Sequence, residues 1–562
     1  MKKIYIDIME KAVSIYTTQR IEEYIAEVRK NGLSEHGFPR LTADIGILIA
    51  HGRMLHLRPY FVQMMDLCCQ EMPVAYQKYQ KTSVGNEFSV KEIVMCLMTL
   101  EQSKTFPEEQ MKCWKSAIQA MDPYAIYHHI AEVPAKPMHN WAAFAAVSEQ
   151  LRIHAGLGAP GSAAFVDHQV ASQLFNFDEN GMYRDPNEPI VYDLTTRLQL
   201  SMAVFYGYNG TNSKALMEQL NRGSLQNLYM QSVTGEIPFG GRSSQFLHNE
   251  PTFAALLEYD ACRYAQLGDW QKAGECKTAA MLCAQQTLKC LNTEHVYHIK
   301  NGYDPDSGYG CEPYGYFNKY MVTTASFAHF AYLMADDNIR PRPLPIEKTN
   351  YIHHLSDHFH KTFIKFGEYF LEYETKADFH YDCNGLGRIH RKGAPSSICL
   401  SVPVTSTPNY GLDLVNPGPF SICGGIDGRF SCEEGTSYQL ISQNVTDECG
   451  SLTWQVTLPG GKCFTEQCSV TTNGITLSYT ADEEIAVRLP AFETDGWRSS
   501  RINISGNSAV IQYEGWKCCY AASTPLASLP EVYANRNGHY RALIASAQGS
   551  VEIHVSIEKA IG

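Results

Sequence analysis

The stretch 336 DDNIRPRPLP 345 divides the chain into two sequences of different character. Pro341, Pro343 and Pro345 lack backbone donors and have fixed φ, so neither a helix nor a central strand runs through them. Before this stretch, apolar residues recur at helical spacing, and the breaks are short Gly, Pro and Asn loops. After it, short β-branched and aromatic runs alternate with turns such as Pro459-Gly460-Gly461 and Asn473-Gly474. The expectation is an α+β multidomain chain. Residues 1–337 form a toroid of helix pairs, 338–350 a proline-rich linker, and 351–562 an antiparallel β-sandwich. At 562 residues the chain is also too long for one hydrophobic core.

Within the first part, Tyr5–Asn31 reads as one amphipathic helix ending at Asn31-Gly32. Further helices are expected near Pro59–Tyr79, Val90–Gln102, Pro107–Met121, Trp141–Leu157, Asp193–Tyr206, Ser213–Ser232, Glu250–Leu267, Trp270–Leu291 and Asn318–Met334. In the second part, Thr362–Glu374 alternates aromatic and polar residues, and Gly474–Tyr479, Ala486–Leu489 and Val551–Ile557 read as separate short strands.

A net charge of -13 argues against nucleic acid or an anionic membrane as partner. No apolar run is long enough to span a bilayer, and Asp7, Glu10 and Lys11 interrupt any leader-like stretch at the N-terminus, so a cytoplasmic location is expected. The 18 cysteines show no CxxC and are expected to be reduced, with Cys276, Cys283 and Cys290 forming a small-residue stripe on one helix. His353, His354, Asp357, His358 and His360 lack a recognisable ligand motif, so no metal or other cofactor is expected.

Polar, aromatic loops ahead of the helices carry the candidate chemistry. Gly37-Phe38-Pro39-Arg40 is followed by Asp44, and His139-Asn140-Trp141 opens a helix. Tyr192, Asp193 and Arg197 stand at the next junction, with Asp193 and Arg197 four apart and so on one helix face. Phe239-Gly240-Gly241-Arg242 leads into His248-Asn249-Glu250, and 303 YDPDSGYGCEPYGY 316 sets Tyr309 and Glu312 among further tyrosines. In a barrel of paired helices, loops preceding alternate helices gather at one end, so these segments are expected to line one cleft. Tyrosines suit sugar faces, arginines suit a carboxylate, and Asp193, Glu250 and Glu312 offer acid/base pairs. The competing reading is structural: Asn140 and Asn249 as helix caps, Glu250 as a first-turn dipole partner, Asp193–Arg197 as an ordinary ion pair.

The layout resembles carbohydrate-active enzymes with an N-terminal (α/α)6-type barrel and a C-terminal β-sandwich. His139-Asn140-Trp141 resembles the carboxylate-neutralising segment of the alginate and heparin lyases, and Asn180-Gly181-Met182-Tyr183 followed by Tyr192 resembles the segment bearing their catalytic tyrosine. The chain departs from them in having no HxHxD-type stretch after Cys383. The combination YDLTTR, GGRSSQ and HNEPTFA is closer to the bacterial β-glucuronidases of glycoside hydrolase family 154. That resemblance implies hydrolysis of a terminal uronic acid from an oligosaccharide. The catalytic carboxylates would come from Asp193, Glu250 and Glu312, and His139, Asn140, Arg40, Arg197, Arg242, His248, Asn249 and Tyr309 would bind the sugar. The alternative is a lyase in which Tyr192 is base and acid, and a second alternative is a non-catalytic carbohydrate-binding protein. A homodimer is one option for the assembly.

Overall fold

A computed structural model of the protein describes residues 2–74, 85–127, 130 and 140–560. Helices occupy the chain up to Met334, the four-residue helix Pro345–Lys348 follows the proline-rich stretch, and strands begin at Tyr351. Six helices, Gly37–Ala50, Asn86–Ser103, Trp141–His154, Ile190–Phe205, Asn249–Gln266 and Phe317–Met334, pack in a closed circuit, each on the next and the last on the first. They are buried on almost every face, which is why their sequences are apolar nearly all round. A second set packs outside them. Lys3–Ser14 lies on Phe317–Met334, Arg58–Glu71 on Gly37–Ala50, Ser162–Gln173 on Trp141–His154, Ser213–Met230 on Ile190–Phe205, and Trp270–Leu291 on Asn249–Gln266. These outer helices bury one stripe and expose the other.

The expected single helix Tyr5–Asn31 is two helices, Lys3–Ser14 and Thr18–Asn31. Thr17 turns to extended backbone and its hydroxyl accepts the Arg20 N–H, so it starts a new helix where the apolar spacing alone suggests continuity. Ser162–Gln173 is a further helix that the spacing did not indicate.

The strands form two antiparallel sheets. The first orders Tyr351–His354, Lys361–Phe366, Tyr369–Glu374 and Gly385–Arg391; Gly367 and Glu368 turn the chain inside the expected single run Thr362–Glu374. The second is built on Gly474–Thr494 and Gly538–Lys559, which pair from Ile475↔Val555 to Phe492↔Tyr540. Gly474–Tyr479 and Ala486–Leu489 are therefore parts of one long strand, with a register shift between Thr480 and Glu484. Ile364, Leu371 and Tyr373 of the first sheet share a core with Leu452, Val456 and Tyr479 of the second.

The two halves meet along the segment 237–245. Arg388 donates to the Ile237 carbonyl at 2.7 Å, the Lys361 ammonium lies 3.6 Å over the Phe239 ring, and Asp382 accepts the Gly241 N–H at 2.7 Å. Gly241 needs its glycine: φ is +71°, and a Cβ would stand 2.6 Å from the Pro189 backbone.

Candidate active site

The first turns of the six ring helices converge on a cavity of about 520 Å³. Arg40, Phe88, Trp141, Tyr192, His248 and Tyr320 each come from the start of a different ring helix, or from the residue before it. Unpaired N–H groups and dipole ends at helix starts favour negative charge, so this architecture alone biases the cavity toward an anion. The two arginines at its wall are held from behind. Arg40 lies 2.9 Å from Glu92 and donates to the Thr323 hydroxyl at 2.8 Å. Arg242 pairs with Asp185, donates to the Pro186 carbonyl at 2.9 Å, and stacks its guanidinium 4.4 Å over the Tyr192 ring. Asn140 gives its amide N–H to the same Asp185 at 3.0 Å, while its buried carbonyl oxygen has no partner among the described residues.

Ser243 organises the phenols. Its hydroxyl lies 3.2 Å from that of Tyr192 and 3.0 Å from that of Tyr314. Its backbone sits at φ +58°, an uncommon conformation for a residue with a side chain, and its N–H is accepted by Glu312 at 2.6 Å. Glu312 is in turn clamped by Arg536 of the sheet half at 2.6 Å and 3.0 Å. Burial, then the neighbouring Tyr192 and Glu312, push the Tyr314 phenol well above its usual range, so it stays protonated. Burial lowers His248 to about 3 and His36 well below its ordinary value, with Arg40 adding to both, so both imidazoles are neutral.

Of the residues singled out from sequence, Arg40, Asn140, Tyr192, Arg242 and His248 line this cavity. His139 lies outside the described residues. The three carboxylates are elsewhere. Asp193 is fully buried and faces outward between ring and outer helix, where it holds Arg197 at 2.5 Å and accepts the Tyr183 N–H; Arg197 also donates to Asn227 at 2.9 Å. Glu250 is bound to Lys300 at 2.7 Å, beside Glu236, and Glu312 is taken by Arg536 and Ser243. Each is consumed by an ion pair, because a lone buried carboxylate is too costly to leave unpaired. Asn249 donates to the Ser243 carbonyl at 3.1 Å and supports the loop from below. Tyr309 stacks on Tyr303 at 3.5 Å, away from the cavity. No Asp or Glu lines the cavity among the described residues. Sequence reasoning passed over Tyr314, Tyr320, Lys319 and His36. The loop 303–316 was flagged for its tyrosines, but nothing in it favours Tyr314 over Tyr309.

Among the described residues no group of three or more His, Cys, Asp and Glu side chains is placed to hold a metal ion. In the histidine-rich stretch, His360 lies between Glu188, at 2.5 Å, and Glu374, and so ties the cavity-wall loop at 186–188 to the sheet half. Burial alone would lower its pKa, but Glu374 and Glu188 raise it from 6.5 to about 9. A raised folded-state pKa contributes stability that is complete below 6.5 and is lost as pH rises through about 9. The gap in thermal midpoint between the wild type and His360→Asn is therefore expected to shrink over that window. Asn tolerates the φ of +41° found there, so the variant isolates the charge.

No protein-family model matches the chain, and no curated protein matches it in sequence. Among solved structures it is similar to heparinase III, with a TM-score of 0.51 at 6% identity over 93% of this chain and 76% of that one. It is also similar to a glycosyl hydrolase family 88 protein from Bacteroides vulgatus, with a TM-score of 0.39 at 10% identity over 59% of this chain and 99% of that one. A GH127 β-L-arabinofuranosidase from Geobacillus stearothermophilus T6 gives a TM-score of 0.37 at 10% identity over 98% of both chains. At such identities the heparinase III likeness bears on the fold alone. No helix among the described residues is long and apolar enough to cross a membrane.

Proposed function

We propose that this protein is a carbohydrate-active enzyme, an (α/α)6 toroid with a β-sandwich, that cleaves uronic-acid-containing oligosaccharides by β-elimination. The observation that carries this reading is the cavity wall: phenols, cations and an amide around helix starts, with no carboxylate among the described residues. Elimination at a uronate removes the C5 proton, breaks the C4–O bond and leaves a C4–C5 double bond. It needs a base, a proton for the leaving oxygen, and donors that stabilise the enolate-like carboxylate. In this reading Tyr192 is the base, and the Arg242 guanidinium 4.4 Å over its ring stabilises negative charge that accumulates there. Tyr192, as the phenolate, takes the C5 proton and passes it to the leaving oxygen, while the Ser243 hydroxyl, accepting from a Tyr314 held protonated by burial, donates to Tyr192 in one orientation of the O–H groups. The uronate carboxylate then lies against Asn140, Arg242 and the helix starts.

Incubation with uronate oligosaccharides, read by ultraviolet absorbance and by released sugar, tests the reading. An absorbing unsaturated product is expected. Saturated uronic acid without absorbance would mean hydrolysis, the β-glucuronidase chemistry expected from the sequence resemblance. Binding without any product would leave a carbohydrate-binding protein.

A further inference from the structure

The positive charges of the cavity are unequally compensated. Arg40 faces Glu92 and Arg242 faces Asp185, so each arginine arrives with its counter-charge. The Lys319 ammonium has no ion pair or hydrogen bond among the described residues; it stands 5.6 Å over the Tyr316 ring and 5.8 Å over the Tyr320 ring at the cavity wall. The nearby carboxylate of Glu35 is occupied by the Tyr24 hydroxyl and the Gly37 N–H, which fix the entry to the first ring helix. The His36 ring, 6.2 Å from that of Tyr320, is 4% exposed, and its Nδ1 has no partner among the described residues. An unpaired ammonium and an unpartnered buried imidazole nitrogen border one aromatic ring. The buried imidazole nitrogen is left unsatisfied when the cavity is empty, and an anionic oxygen group would satisfy it and meet the ammonium.

Resting on the elimination reading above, we propose that Lys319 and His36 form an anion-reading subsite. The preferred substrate then carries a second negative group, a sulfate ester or a second carboxylate, on the sugar unit beside the uronate that is cleaved. The Lys319 ammonium supplies the charge, and a neutral His36 with its proton on Nδ1 supplies a directed donor. Burial, and less so Arg40, depress the Lys319 pKa against the opposing pull of Glu35, and a bound anion offsets the depression.

Titration calorimetry of the full chain tests this with three tetrasaccharides: an unsulfated uronate–hexosamine chain, the same chain with a sulfate ester on the hexosamine, and an all-uronate chain. The wild type is expected to bind one or both of the more charged probes about ten- to hundredfold more tightly than the first, as a charge-assisted hydrogen bond gives. Preference for the sulfated probe assigns a sulfate, and preference for the all-uronate probe assigns a carboxylate. Lys319→Gln should erase the preference and Lys319→Arg should keep it. Equal wild-type affinity for all three probes overturns the proposal without recourse to any Lys319 variant, as does an equal loss on all three in Lys319→Gln. All titrations are run in a Tyr192→Phe background, otherwise unchanged where the wild type is named, so that the probes are not consumed; absence of an unsaturated product from the unsubstituted enzyme would remove the elimination reading and leave the charge preference standing.

Discussion

Tyr192→Phe is expected to lower kcat by about 10²–10⁴-fold, the usual contribution of a general acid–base group, with little change in KM. The phenol ring and its stack with Arg242 survive the substitution, so substrate and fold are held much as before. What disappears is the oxygen that takes the C5 proton and its contact with Ser243. Tyr314→Phe should show a smaller loss of the same kind, since it removes only a hydrogen bond to Ser243 and leaves the Tyr192 oxygen in place. Glu250→Gln and Glu312→Gln should behave differently: each disrupts a buried ion pair outside the cavity, so thermal stability falls first. Continuous absorbance assays alongside thermal melts separate the two classes. A Tyr192→Phe enzyme within about tenfold of wild type, with Glu250→Gln folded but dead, would return the chemistry to the carboxylates.

Arg197→Ala is expected to be the most damaging single truncation to the fold, about 3–5 kcal/mol, because it strands the fully buried Asp193 and leaves Asn227 short of a donor. That is a large share of the stability of an ordinary domain. Burial already raises the Asp193 pKa and Arg197 pulls it back down, so without Arg197 the carboxyl takes up a proton more readily and the defect should ease toward low pH. Denaturant or thermal unfolding at two pH values measures both effects. A variant that melts like the wild type and loses only activity on charged sugars would place Arg197 at the substrate after all.

The contrast between Tyr192 and Asp193 shows what sequence conveys and what it withholds. The Asp193–Arg197 spacing announces an ion pair on one helix face. Which face is inward depends on where Asn227 of the outer helix lies, and that is a tertiary fact. Successive helix residues point about 100° apart, so Tyr192 reaches the cavity while its neighbour reaches the outer layer. Long, strongly periodic helices such as Trp270–Leu291 were legible to the residue, and helices give way to strands between Met334 and Tyr351. The Ser162–Gln173 helix was not, because residues such as Asp167, His168 and Gln169 blur its apolar stripe. Arg40, Asn140, Arg242 and His248, singled out from sequence, line the cavity because each lies in or beside a polar segment leading into a ring helix. Lys319 and His36 left no such mark: one is an ordinary first-turn lysine and the other a loop histidine until the ring closes around them.

Arg388, Asp382 and Arg536 all act on backbone or carboxylate groups at one remove from the cavity, and all belong to the sheet half. Their joint effect is to fix a segment whose far end carries Arg242 and Ser243. The helical half is therefore unfinished by itself: cut after the proline-rich stretch, it would keep Tyr192 and lose the means of aiming the groups that serve it. A protease nick in that stretch would be tolerated only while the halves stay docked, and grafting a different sheet onto these helices would require matching anchors for 237–245 and for Glu312. Variation in the hairpin around Asn535, Arg536 and Asn537, remote in sequence from every cavity residue, is accordingly a route by which the cavity can be tuned without touching a side chain that lines it.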